Sequence, residues 1–177
     1  AMSASVGNSI VEKDEYKNYE NLLVFSALFA VIMGISTALL ACLYQPFMKI
    51  WVGKKLLLPT VDMMLFCVYF YVINMTNIRN QYISGTGIWW HLKASYIIEA
   101  VANLLLNVIL GKYFGITGIL IATIVTIFIF NYLLRNVVLF KYYFKNSSYR
   151  DYLFEQTYFA ICAIVAVRLS IKACDYV

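Results

Sequence analysis

The chain has 177 residues, of which 63% are hydrophobic and 13% charged, and its mean hydropathy is +0.76. Ordinary soluble domains carry charge on about a quarter of their residues, so this composition excludes that class and defines an integral membrane protein. The net charge of +5 does not point to nucleic acid, because lysine and arginine sit between apolar runs, where they set orientation, and no basic stripe interleaved with aromatics forms.

Residues 1–21 are polar and read as a connector with a short interfacial helix, for which Ser9 and Glu12 have capping-box spacing. The mixed charges Lys13, Asp14, Glu15, Lys17 and Glu20 keep that helix in water or at the headgroups. The remainder, 22–173, reads as one transmembrane helical domain. Its first span, 22–44, is uncharged and carries the small residues Gly34, Ser36, Thr37 and Ala38, which allow close helix packing. It is expected to stop at Gln45-Pro46. A second span covers 56–78.

A loop from Arg79 to Lys93 follows, holding Gly85, Gly87, Trp89, Trp90 and His91. His91 reads as a solvated boundary residue. Trp51, Trp89 and Trp90 fall in predicted loops and serve as interface anchors, as an amphipathic indole prefers. Spans at 94–110 and 116–134 are joined by the short link Gly111-Lys-Tyr-Phe-Gly115, which makes them an antiparallel hairpin, with Gly118 allowing close approach. A basic, tyrosine-rich loop then leads to a fifth span, 157–173, whose Arg168 lies near enough to the end to reach outward as a further anchor. The fold class is therefore all-α, with about five transmembrane helices. A weak excess of lysine and arginine places the loops after the second and fourth spans in the cytoplasm.

The polar candidates lie on the hairpin. Glu99, Asn103 and Asn107 are four apart and share a helix face. Folding about the link sets them opposite Asn131, Thr126 and Thr123, either as a hydrogen-bonded seam or as the wall of a transport pathway. Glu99 lies about 9 Å along the helix from Lys93, so it must meet a cation, take a proton or face water. Cys42, Cys67, Cys162 and Cys174 show no metal or redox spacing and read as small buried hydrophobes. Asn146-Ser147-Ser148 fits a glycosylation sequon that carries little weight without a secretory lumen. Catalytic, metal and cofactor motifs are not apparent.

Several segments in order resemble one family: SVGN (Ser5–Asn8), PFMKIWVGK (Pro46–Lys54), YISGTG (Tyr82–Gly87), ANLLLNVIL (Ala102–Leu110) and KYFGITGILIAT (Lys112–Thr123). Together they resemble the C-terminal part of polysaccharide biosynthesis proteins of the Wzx flippase type, in the superfamily that includes the MATE exporters and lipid II flippases. The resemblance implies a two-lobe, multi-pass protein of the bacterial cytoplasmic membrane that moves undecaprenyl-pyrophosphate-linked oligosaccharides for surface polysaccharide assembly. Its partners would be the lipid bilayer, the lipid-linked oligosaccharide and an N-terminal lobe that five spans do not supply. An ion-coupled multidrug exporter and a membrane enzyme of glycan assembly are the alternatives.

Overall fold

Long uncharged runs become helices because a helix satisfies its own backbone N–H and C=O groups without water. The structure, a computed structural model, describes residues 2–11 and 14–175. Its elements are α1 (Met2–Val11), α2 (Glu15–Trp51), a 3-10 turn (Lys54–Leu56), α3 (Thr60–Met75), α4 (Asn77–Gly85), α5 (Trp89–Thr126), a π-helical stretch (Ile127–Leu134), α6 (Arg135–Tyr142) and α7 (Tyr149–Asp175). Among the described residues, four helical stretches are long and apolar enough to cross a membrane: Glu15–Trp51, Thr60–Gly85, Trp89–Tyr142 and Tyr149–Cys174.

The third of these contains the expected hairpin. Its 54 residues would reach about 80 Å if straight. At Gly115 the backbone takes φ 61° and ψ −137°, a conformation tolerated essentially by glycine, and the chain turns back. Gly118 then comes so close to Leu110 that a Cβ there would strike its carbonyl. Spans 94–110 and 116–134 are thus the two arms of one bent element, and helix persists through the predicted link as far as Phe114.

Element ends differ from the sequence expectation in four places, each for a local reason. Proline 46 does not stop α2, which runs on to Trp51; near a helix end it forfeits one backbone bond, and Gln45 Nε2 donates to Leu58 O at 2.8 Å to tie down the following turn. The second span breaks at Thr76, whose hydroxyl donates to Ile73 O at 2.7 Å. Helix resumes at once as α4, so the predicted loop 79–93 shrinks to residues 86–88, and Trp89, Trp90 and His91 open α5 instead. Likewise α6 and the start of α7 consume most of the predicted basic loop, leaving 143–148.

The N-terminal expectation also changes. Glu12 and Lys13 lie outside the described residues, and α1 spans Met2–Val11 rather than starting after Ser9. Ser9 instead bonds Asn18, whose Nδ2 donates to Ser9 O at 2.9 Å. Val6 is buried with Leu22, Ile78, Tyr82 and Ile83, so α1 docks on the bundle. Asp14 caps α2 by accepting from Lys17 N at 3.1 Å.

Helix α2 is the spine, packing along both α7 and α3, while α3 packs on α5. Its buried face is small (Ala30, Gly34, Thr37, Ala38 and Ala41), and Gly34 approaches Ala163 of α7. The opposite face turns Val24, Leu28, Val31, Ile35 and Leu39 outward. At one end Tyr19, Tyr82, Phe140, Phe144 and Tyr152 form an aromatic core. Tyr82 OH donates to Asn18 O at 3.1 Å, and Glu15 accepts from Asn146 N and Nδ2, fixing the 143–148 turn and engaging the sequon asparagine. Cys67 is buried, but Cys162 and Cys174 are exposed, unlike the buried set expected.

Candidate functional site

The four hairpin candidates separate into two groups. Asn103 Nδ2 donates to Thr126 Oγ1 at 2.7 Å, and Asn107 Nδ2 donates to Asn103 Oδ1 at 2.9 Å. Thr123 Oγ1 reaches Asn107 Oδ1 at 3.4 Å across the arms. These residues form the seam that the spacing allowed, joining the half-buried amides of the first arm to the buried Thr126 and half-buried Thr123 hydroxyls of the second. Between helices in membranes, hydrogen bonds of this kind average about 0.6 kcal/mol each.

Glu99 and Asn131 do not extend that seam. A regular hairpin sets Glu99 level with residue 130, next to Asn131. The π-helical turn Ile127–Leu134 intervenes and shifts the second arm, so that Arg135 forms the ion pair with Glu99. Arg135 also stacks over Tyr96 at 4.1 Å. Asn131 turns instead to Arg79 of α4, accepting from its guanidinium. The same guanidinium donates to Asn136 Oδ1 at 3.2 Å and Asn80 Oδ1 at 3.3 Å.

The result is a polar cluster between α4, the π-helical stretch, α6 and the first arm of the hairpin. Arg79 and Arg135 are 1% and 5% exposed. The Glu99 side chain retains 16% exposure, so the acid keeps one open edge while its cation is enclosed. Sequence reasoning placed Arg79 and Arg135 in loops and missed both. Their signal was position: each ends a mostly apolar run, broken by Asn74, Thr76 and Asn77 before Arg79 and by Asn131 before Arg135, and helix that carries on past the run draws the cation inside.

Beside this cluster a cavity of about 780 Å³ runs between α3 and α7. Its walls are mostly apolar, including Val68, Val72, Ala160 and Ile164; Tyr132 and Gln156 stand at one end and Arg168 at the other. Gln156 and Arg168 are twelve residues apart on α7, about 18 Å. Arg168 is exposed and edges this cavity. Trp51 is 70% exposed at the end of α2, and Trp89 and Trp90 are exposed at the start of α5. All three tryptophans therefore terminate helices rather than occupy loops. His91 stacks on Tyr142 with ring centroids 4.2 Å apart. Among the described residues no group of three or more His, Cys, Asp and Glu side chains is placed to hold a metal.

Comparison of the chain with protein-family models, curated proteins and solved structures finds no match.

Proposed function

We propose that this chain forms part of the C-terminal lobe of a flippase that moves undecaprenyl-pyrophosphate-linked oligosaccharide units across the bacterial cytoplasmic membrane. The observation that carries the reading is Glu99: an ionisable side chain with an open edge, paired to an enclosed arginine, and the only charged residue between Lys93 and Lys112 on its helical arm. Ionisable groups at such depth mark substrate or ion pathways in membrane proteins. The apolar cavity along α7 is compatible with a long hydrocarbon chain, and its volume lies within the range of ligand pockets. The outward apolar face of α2 supports a lipid environment. The ordered segments from Ser5–Asn8 to Lys112–Thr123 supply the choice of substrate class.

The test is genetic and biochemical. In cells lacking the corresponding full-length protein, expression of the native form restores surface glycan display and clears lipid-linked oligosaccharide from the inner leaflet. Glu99→Gln is expected to leave the protein in the membrane and slow that clearance. Restoration of drug efflux without any change in lipid-linked oligosaccharide would instead identify an exporter.

A further inference from the structure

Two guanidiniums are enclosed in the polar cluster, and one carboxylate serves them. Glu99 pairs with Arg135. Arg79 bonds three amide oxygens, those of Asn80, Asn131 and Asn136, and among the described residues no carboxylate bonds it. Amide oxygens solvate a cation without neutralising it, and an enclosed, uncompensated charge is expensive to hold. Glu99 lies within electrostatic reach of Arg79 while bonding Arg135, so one carboxylate faces two guanidiniums; the nearby phenols of Tyr132 and Tyr152 are uncharged at neutral pH.

A second observation is independent of charge counting. The buried unpartnered atoms on Arg79, Arg135 and Asn136 are Arg79 Nε, Arg135 Nε and Asn136 Nδ2, and all three are donors. The Asn136 amide cannot be reversed to relieve this, because its Oδ1 already accepts from Arg79 and the flipped form would set donor against donor. Asn136 is fully buried. Unmet donors on two enclosed guanidiniums that share one carboxylate call for a further acceptor that carries negative charge.

We infer that the Arg79–Asn136 cluster is a binding site for a small monovalent inorganic anion, chloride being the abundant one, which acts as an internal counter-ion of the bundle. Water would satisfy the donors and leave the charge. A lipid headgroup or polyphosphate is too large to reach groups enclosed to this degree. The inference does not depend on the flippase reading, since the site would serve any function of the fold.

The experiment uses the whole chain in detergent, exchanged from chloride into gluconate at constant ionic strength, with bromide as the probe. Crystals grown in bromide are expected to show an anomalous peak within bonding distance of Arg79 Nε. Thermal midpoints are expected to rise by several degrees, saturably, when chloride or bromide replaces gluconate. Arg79→Gln removes the charge and keeps hydrogen-bonding capacity, and should abolish both effects. If that variant does not fold, the native protein's bromide peak and midpoint shift decide alone. Equal midpoints in chloride and gluconate, with no halide peak in the cluster, would overturn the proposal and leave a hydrated arginine there.

Discussion

Glu99 and Arg135 form an ion pair although 36 residues separate them. In one straight helix they would stand about 54 Å apart. The pair closes because Gly115 reverses the chain and the π-helical turn Ile127–Leu134 then rotates Arg135 onto the facing arm. One glycine and one wide turn thus determine which side chains meet.

The turn itself is testable. Gly115→Ala forces a side chain into a backbone region that costs about 1–3 kcal/mol. Gly118→Val drives its branched side chain into the Leu110 carbonyl and should cost more than the alanine change does. Thermal unfolding in detergent should rank native above Gly115→Ala above Gly118→Val. Midpoints unchanged in both variants would remove the tight turn.

What could be read from the sequence follows from what is local. The hairpin was legible because its signal is a short glycine-bounded link between two apolar runs. The Asn103–Asn107–Thr123–Thr126 seam was legible because four-residue spacing fixes a face and hairpin symmetry fixes the opposite one. Glu99 was recognised as needing a cation, a proton or water, but Arg135 could not be named. The π-helical stretch lies in IFIFNYLL, a run whose wide turns have no sequence mark, and it breaks the symmetry on which the pairing rested. Arg79 was obscured differently, because Thr76 interrupts the helix for one residue and α4 continues inward. Continuation through Pro46 was missed because a proline this close to a helix end loses too little to stop it.

Topology provides a second prediction. In a background without native cysteines, single cysteines at Lys54 and at Tyr113 on the hairpin tip should react with an impermeant thiol reagent from outside the cell. Cysteines at His91 and Lys145 should react only after the membrane is opened. All four native side chains are exposed, so burial does not confound the readout. Equal labelling at Tyr113 and His91 would contradict a hairpin that crosses the membrane.

The seam gives a third. Asn103→Ala removes the bonds to Thr126 and Asn107 and leaves Glu99 and Arg135 untouched. At typical intramembrane strengths the loss is about 1 kcal/mol. A small fall in thermal midpoint with normal glycan display is the expected result. Transport lost at unchanged stability would move Asn103 from the seam into the pathway.

The last prediction separates the two roles of Glu99. As a lock it holds the hairpin arms through Arg135; as a pathway group its charge itself is used. Glu99→Gln keeps shape and an oxygen acceptor for Arg135 but leaves the enclosed guanidinium without a carboxylate, so under the lock role it lowers the thermal midpoint, though less than a change that also removes the acceptor. Under the pathway role transport per folded molecule also falls several-fold, beyond what any drop in abundance accounts for. Glu99→Leu leaves Arg135 enclosed with no carboxylate, which costs about 3 kcal/mol for a buried pair broken on one side, and protein level should drop. Adding Arg135→Met to Glu99→Leu replaces both charges by apolar groups and should recover most of that stability, because the two effects are coupled. The decisive comparison is transport by this recovered double variant. Stability regained without transport assigns Glu99 to the pathway. Normal transport by both the glutamine variant and the double variant would reduce the ion pair to a structural clasp.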